Sequence, residues 1–214
     1  MDRLTYRAFY ERDLPHIQPA GATMFITFRL ADSLSATAIQ SLQAESEAWT
    51  RRMREAANPD TQATLAYEAQ RDLFVRWDRM LDTAHTGARW LASSTVAVIV
   101  TQAIHHFDGQ RYDLLAFCLM PNHVHIVFTP RYDDSGDPIP VSRILHSLKS
   151  YTAHQANHAL RREGAFWQHE SYDHWARDSR ELRRIIRYVC ANPVRAGLVE
   201  HWQDWQWTYV RDMP

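Results

Sequence analysis

RYDLLAFCLM at residues 111–120, then Pro121-Asn122, then HVHIVFTP at residues 123–130 form the stretch that decides the fold. Two runs rich in β-branched and aromatic residues, separated by a Pro-Asn turn signal, predict an antiparallel hairpin. Side chains alternate along a strand, so Val124, Ile126 and Phe128 point one way and His123 and His125 the other. Two imidazoles then stand side by side on one face of a sheet, a geometry that suits a divalent cation. An HxH pair on a strand is by itself a weak signal, because packed or surface histidines produce it equally well.

Working outward, TMFITFRL at 23–30, bounded by Pro19 and Gly21 before and Asp32-Ser33 after, reads as a buried strand. Residues 35–84 carry a helical pattern that Asn58-Pro59-Asp60 breaks into two antiparallel helices, an elaboration on the domain. A helix follows over 87–107, with Asp108-Gly109 as its stop. Beyond the hairpin, 131–140 is a polar loop and 141–162 an amphipathic helix ended by Gly164. Another helix spans 179–190, stopped by Asn192-Pro193, and Gly197 supplies a turn with positive φ. The Trp-rich tail at 202–207 packs back on the body. This order predicts one α+β domain over 1–214, with an antiparallel sheet, helices on one face, and the histidine face open to a ligand.

Composition narrows the class. With 214 residues, 45% hydrophobic, eight Trp and nine Tyr, the chain is large and apolar enough to build a core. The first seven residues hold no apolar stretch, and the longest apolar run, Val96 to Val100, is too short for a membrane span; a cytoplasmic, membrane-free protein is expected. Two cysteines, Cys118 and Cys190, give neither a disulfide framework nor a zinc cluster. The net charge is −1, with no global pull toward a polyanion. It is unevenly spread: 32–82 holds nine acids against six Arg, whereas 143–195 holds ten Lys/Arg against five acids. The C-terminal half is the candidate polyanion-binding face.

On the helix after the hairpin, Tyr151 and Gln155 are four apart and share a face, from which one can serve as a nucleophile and the other as a third ligand beside His123 and His125. Core packing is the competing account, since Ile144, Leu148, Tyr151 and Ala159 also make an apolar stripe.

Five segments in order, GATMFITFRLADSL, MPNHVHIVFTP, ILHSLKSYTAHQAN, FWQHESYDHWARD and RYVCANPVRAGLVEHWQDWQWTY, resemble the REP-associated tyrosine transposases, a branch of the single-tyrosine HUH superfamily of IS200-like transposases. Together they cover most of the chain, and the helical hairpin at 35–84 is the part least specific to that family. The resemblance implies a ferredoxin-like antiparallel sheet of HUH endonuclease type. It also implies a metal-dependent endonuclease and strand transferase acting on single-stranded DNA with hairpin (palindromic) elements, as a monomer or homodimer. His123 and His125 fit the HUH motif, Tyr151 the nucleophile and Gln155 the helix ligand, with Mg²⁺ or Mn²⁺ as the cation. His154 and His158 compete with Gln155, and Tyr172 and Tyr188 are alternative nucleophiles. In this scheme tyrosine attacks phosphorus, leaving a 5′-phosphotyrosine and a free 3′-OH. Lys149, Arg161, Arg162 and Arg177 are candidate phosphate contacts; Trp167, Tyr172 and Trp175 are candidate stacking platforms, although core packing explains them more simply. A domesticated protein that binds such hairpins without cutting is the alternative function. A histidine-triad phosphoesterase is set aside, because Val127 stands where its third histidine belongs.

Overall fold

The computed structural model describes residues 10–11, 15–16, 21–56, 58–84 and 86–212. The readings made for the first seven residues and for Pro19 lie outside this set. The predicted hairpin is present as β2 (Tyr112–Leu119) and β3 (His123–Pro130), in antiparallel register from Tyr112 opposite Pro130 to Leu119 opposite Val124. Upstream, β1 (Met24–Leu30) pairs antiparallel with β3 on its free side, Thr27 lying opposite His125.

Two strands of this sheet were not anticipated. β4 (Trp167–Trp175) pairs with the other edge of β1, and β5 (Thr208–Val210) with the other edge of β2, giving the order β4-β1-β3-β2-β5 with every neighbour antiparallel. WQHESYDHW is too polar for the apolar alternation that marks a strand, because β4 lies at a sheet edge and buries chiefly Trp167, Tyr172 and Asp173.

Helices α1 (Ala36–Glu55) and α2 (Pro59–Asp82) form the expected helical hairpin between β1 and α3 (Ser94–Phe107). The Ser35 side chain caps α1 through Ala38 N at 3.2 Å, and Asn58 caps α2 through Thr61 N at 2.8 Å, with Pro59 in the first turn where no donor is lost. α4 is Val141–Ala159. Apart from the inserted hairpin, β1-α3-β2-β3-α4-β4 is a ferredoxin-like βαββαβ unit with strand order 4-1-3-2.

The sheet divides the core in two. Val124, Ile126 and Phe128 pack with Met24, Ile26 and Phe28 under α3 and α4, using Val96, Val100, Ile144 and Leu148. Phe25, Cys118 and Val127 pack on the opposite face with Phe74, Trp77 and Leu81 of α2 and Ile185, Ile186 and Val189 of α5 (Ser179–Arg195). The α+β class holds, but helices cover both faces rather than one, and the histidine face is not open. The reason is apolar surface: leaving Phe74, Trp77 and the α5 stripe in water would cost about 1.5–3 kcal/mol per large side chain.

α5 also runs farther than its sequence suggests, through Pro193 to Arg195. Proline there forfeits one hydrogen bond in the last turn, and the carbonyls beyond are recovered by Ala196 N to Asn192 O at 3.0 Å and Leu198 N to Pro193 O at 2.9 Å. Gly197, at φ 68°, ends the helix in the left-handed region as expected. The extra turn carries Asn192 and Arg195 toward the sheet.

Candidate metal centre

His123 and His125 project from the middle strand into the layer between the sheet, α2 and α5, and both are fully buried. Neighbouring strands orient their rings. Asn122 Nδ2 donates to Leu81 O at 2.9 Å, which turns Asn122 Oδ1 onto His123 Nδ1 at 2.7 Å. An amide oxygen only accepts, so His123 Nδ1 carries the proton and its Nε2 is left as a bare lone pair. Burial, followed by the neighbouring His125, pushes the His123 imidazolium down to about 3, so the ring is neutral, as a ligand must be. For His125, Thr27 Oγ1 lies 2.7 Å from Nδ1, a pairing set by the β1–β3 register. Its Nε2 stands 3.0 Å from His123 Nε2.

Two helices complete the cluster. On α2, Asp78 follows Trp77 into the core and places Oδ1 3.2 Å from His125 Nε2 and 3.9 Å from His123 Nε2. The 3.2 Å contact lacks hydrogen-bond alignment, and Oδ1 is a fully buried oxygen without a donor. Burial alone would raise the Asp78 carboxyl, but the two imidazoles and the Tyr188 hydroxyl hold it well below the usual carboxylate range. On α5, Asn192 Nδ2 is 2.9 Å from His125 Nε2, while Asn192 Oδ1 is buried with no partner. Rotating that amide by 180° presents the oxygen to the same point.

Cis ligands on an octahedral ion with bonds of about 2.1 Å are about 3.0 Å apart. The separations of 3.0, 2.9 and 3.2 Å around His125 Nε2 match that edge length, and the orphaned Asp78 and Asn192 oxygens are what a cation would satisfy. Asp78, His123 and His125 therefore form a donor set that fits a divalent metal. The mixture of two imidazoles and a carboxylate is borderline to hard, suited to Mn²⁺ as well as Mg²⁺.

Tyr188 stands next to this cluster, four residues before Asn192 on the same helical face. Its hydroxyl donates to Asp78 Oδ2, and its ring meets His125 edge-on at 5.9 Å. Burial and then the Asp78 charge push its phenol far up, so it is protonated at neutral pH. Arg195 lies over the Tyr188 ring at 4.7 Å, with Nη2 3.5 Å from Asp78 Oδ2 and 3.3 Å from Asp82 Oδ2. The position of α5 is set at its start: Asp178 caps Glu181 N at 2.7 Å, and Glu181 in turn bonds His174 of β4 at 2.9 Å. A cavity of about 140 Å³ opens beside the centre, lined by Leu81, Asp82, Met120, Asn122, His123 and Ala196 among others.

The structure does not bring Tyr151 or Gln155 to the histidines. α4 turns Ile144, Leu148, Thr152 and Ala156 onto the sheet face that carries Val124, Ile126 and Phe128, so the whole sheet separates Tyr151, 53% exposed, from His123 and His125. His154 and His158 are exposed on that same helix. Tyr172 is buried on β4, stacked on Phe74 at 4.2 Å. Among the anticipated phosphate contacts, Lys149 is turned inward, its Nζ donating to Gln168 O at 2.7 Å and His169 O at 3.0 Å, with burial lowering it to about 8. Arg162 lies 3.7 Å over Trp90 and bonds Asn157 and Ala165. Arg161 and Arg177 are exposed. Asp78, Asn192 and Arg195 were not anticipated. Tyr188-x-x-x-Asn192 repeats the spacing of Tyr151-x-x-x-Gln155, so spacing could not separate the two pairs.

Residues 92–192 match the family described as Transposase IS200 like. This stretch, just under half of the chain, is similar to the IS200-like transposases. The matched stretch includes His123, His125, Tyr188 and Asn192 but ends upstream at residue 92, so Asp78 and the α1–α2 hairpin lie outside it. A REP-associated tyrosine transposase of Haemophilus influenzae is 26% identical over 118 residues, 52% of this chain and 65% of that protein. One from Escherichia coli is 29% identical over 104 residues, 48% of this chain and 57% of that protein. The matches thus span less than two thirds of either relative. A solved REP-associated tyrosine transposase bound to a REP hairpin superposes with a TM-score of 0.52 at 18% identity, over 97% of this chain and 82% of that one, a likeness of fold. Among the described residues no helix is long and apolar enough to cross a membrane.

Proposed function

We propose that this chain is an IS200-like transposase, a metal-dependent single-stranded DNA endonuclease and strand transferase acting on hairpin-forming DNA, with Tyr188 as its nucleophile. One observation carries the reading: a phenol, two imidazole lone pairs and a buried carboxylate converge on one point, with the phenol on the helix that faces the histidines. The hairpin-bound structural relative supports the choice of DNA.

His123, His125 and Asp78 would hold Mg²⁺ or Mn²⁺, with Asn192 as a further ligand. The bound cation supplies Lewis acidity at a phosphate oxygen, where negative charge develops. Tyr188 Oη attacks phosphorus as its proton passes to Asp78 Oδ2, already its acceptor. The new P–O(Tyr) bond forms as the P–O3′ bond breaks, and the departing oxygen takes up a proton to leave as a 3′-OH. The product is a 5′-phosphotyrosine, whose retained ester bond lets a 3′-OH reverse the step without ATP. Arg195, poised over the phenol, steadies its orientation and offers N–H groups to the phosphate.

The test is incubation with a single-stranded DNA hairpin library and Mn²⁺, followed by denaturing electrophoresis. Wild type is expected to form a covalent protein–DNA adduct and Tyr188→Phe none. Hairpin binding by both proteins without any adduct would establish the non-cutting alternative instead.

A further inference from the structure

Lys149 of α4 and Arg162 of the loop after it are engaged by the protein itself, and a denser row of exposed arginines lies on α5. Of its seventeen residues, Arg180, Arg183, Arg184 and Arg187 are exposed. At 3.6 residues per turn they fall on one stripe, roughly a third of the helix circumference, that leads to Arg195 and the edge of Tyr188. From Arg180 to Tyr188 the helix rises about 12 Å. The opposite stripe, Ile185, Ile186 and Val189, is in the core, so the arginine face is held outward by packing. The one acid within α5, Glu181, is buried and bound to His174 and Arg177 N. Asp178 at the cap is close enough to feel Arg180 and Arg184, yet among the described residues neither these two nor Arg183 forms an ion pair with a carboxylate within 4.0 Å. Assembling this many like charges on one face raises the energy of the free protein and is offset when a polyanion neutralises them.

We infer that the outer face of α5 is a phosphate track, with Arg180, Arg183 and Arg184 holding the backbone of a single DNA strand and delivering it to Tyr188. This rests on the proposed function above. The partner is chosen by charge complementarity and by continuity: the stripe ends at the phenol that the reading makes the nucleophile, on the same rigid helix, so contacts along it fix the strand's register at the centre. Backbone contacts of this kind position a strand without reading its sequence.

The test compares wild type with the Arg180→Gln/Arg183→Gln/Arg184→Gln variant, and with an equal charge change on α1, Arg51→Gln/Arg52→Gln/Arg54→Gln, where the arginines are also exposed. Binding of a fluorescent single-stranded hairpin oligonucleotide is followed by anisotropy from 0.05 to 1 M salt, over which the Debye length falls about fourfold. Each single-strand phosphate contact contributes about 0.7 to the slope of log K against log salt, so the α5 variant is expected to lose about 2 from the slope. That corresponds to about 100-fold weaker binding at 0.1 M salt, converging with wild type near 1 M. The α1 variant should keep the wild-type slope. Equal losses in both variants, or none in the α5 variant, overturn the track while leaving the nuclease reading intact. Failure of wild type itself to bind any single-stranded hairpin overturns the functional reading on which the track depends.

Discussion

The two faces of the sheet are built from the same strands and both closed by helices, yet one is packed with apolar side chains and the other gathers ionisable groups. Under α3 and α4, β1 and β3 present Met24, Ile26, Phe28, Val124, Ile126 and Phe128, and the helices answer with aliphatic side chains. Under α2 and α5, the intervening positions Thr27, His123 and His125 meet Asp78, Tyr188 and Asn192. A strand with a period of two can therefore spend one face on stability and the other on function, provided that the helices are sorted correctly between them. Buried polar groups are costly when unpaired, so the second face persists only because nearly every donor and acceptor in it is matched. Among the described residues the oxygens left unmatched on this face are on Asp78, Asp82 and Asn192, and those of Asp78 and Asn192 are ones a cation beside the imidazoles would satisfy.

The sharpest way to break this contrast is to remove one hydroxyl from each face. Tyr188→Phe is expected to abolish the covalent DNA adduct, whereas Tyr151→Phe should leave its yield within about twofold, since that ring stands in solvent across the sheet. The reverse pattern on a denaturing gel would restore the α4 tyrosine and undo the assignment of faces. Next in size, His125→Ala should lower Mn²⁺ affinity, measured by electron paramagnetic resonance, by more than about 100-fold, because a direct ligand should cost at least as much as the outer-shell partners that typically cost 10–100-fold. Undiminished Mn²⁺ binding in that variant would mean the cation sits elsewhere.

Asp78→Asn sharpens the comparison by asking whether the inserted hairpin belongs to the centre. A loss of about 10–100-fold in Mn²⁺ affinity is expected, with the fold retained; an unchanged affinity would reduce Asp78 to a packing partner. The smallest effect concerns pH. His123, lowered to about 3, binds a proton in the unfolded chain near 6.5 but not in the folded one, so its contribution is present above 6.5 and is lost as pH falls toward 3. Asp82, raised to about 6 by burial and then by Asp78, acts oppositely: its folded form takes up a proton first, and stability is gained as pH falls through 6. From pH 7 to 5 these largely offset. Chemical denaturation of the wild type should therefore change little over that interval, and Asp82→Asn should uncover a loss of about 2 kcal/mol. A variant as flat as wild type would show that His123 is not held neutral by burial.

Much of this molecule is legible from local pattern. The β2–β3 hairpin, the strand before it, the helical hairpin broken at Asn58-Pro59 and the opposed sides of Val124 and His125 all follow from periods of two and 3.6 and from turn chemistry. β4 and β5 were not, because an edge strand has little apolar face to advertise. Asn192 was missed because Asn-Pro normally stops a helix, and here the helix passes through Pro193 into its final turn. Asp78 was hidden among nine acids between 32 and 82, and nothing local distinguishes a carboxylate destined for the core from its solvated neighbours.

The amino-acid order by itself determined the elements, the pair of imidazoles and their common side of a strand, since alternation is a property of the backbone. It also supplied two tyrosines at identical spacing from an amide four residues on, Tyr151 and Tyr188. Only the tertiary structure shows which of them lies beside the imidazoles. The choice depends on which apolar stripe covers which face of the sheet, and that is settled by packing between segments distant in the chain: α4 follows Val124, Ile126 and Phe128 to one side, leaving α2 and α5 to close over His123 and His125 on the other.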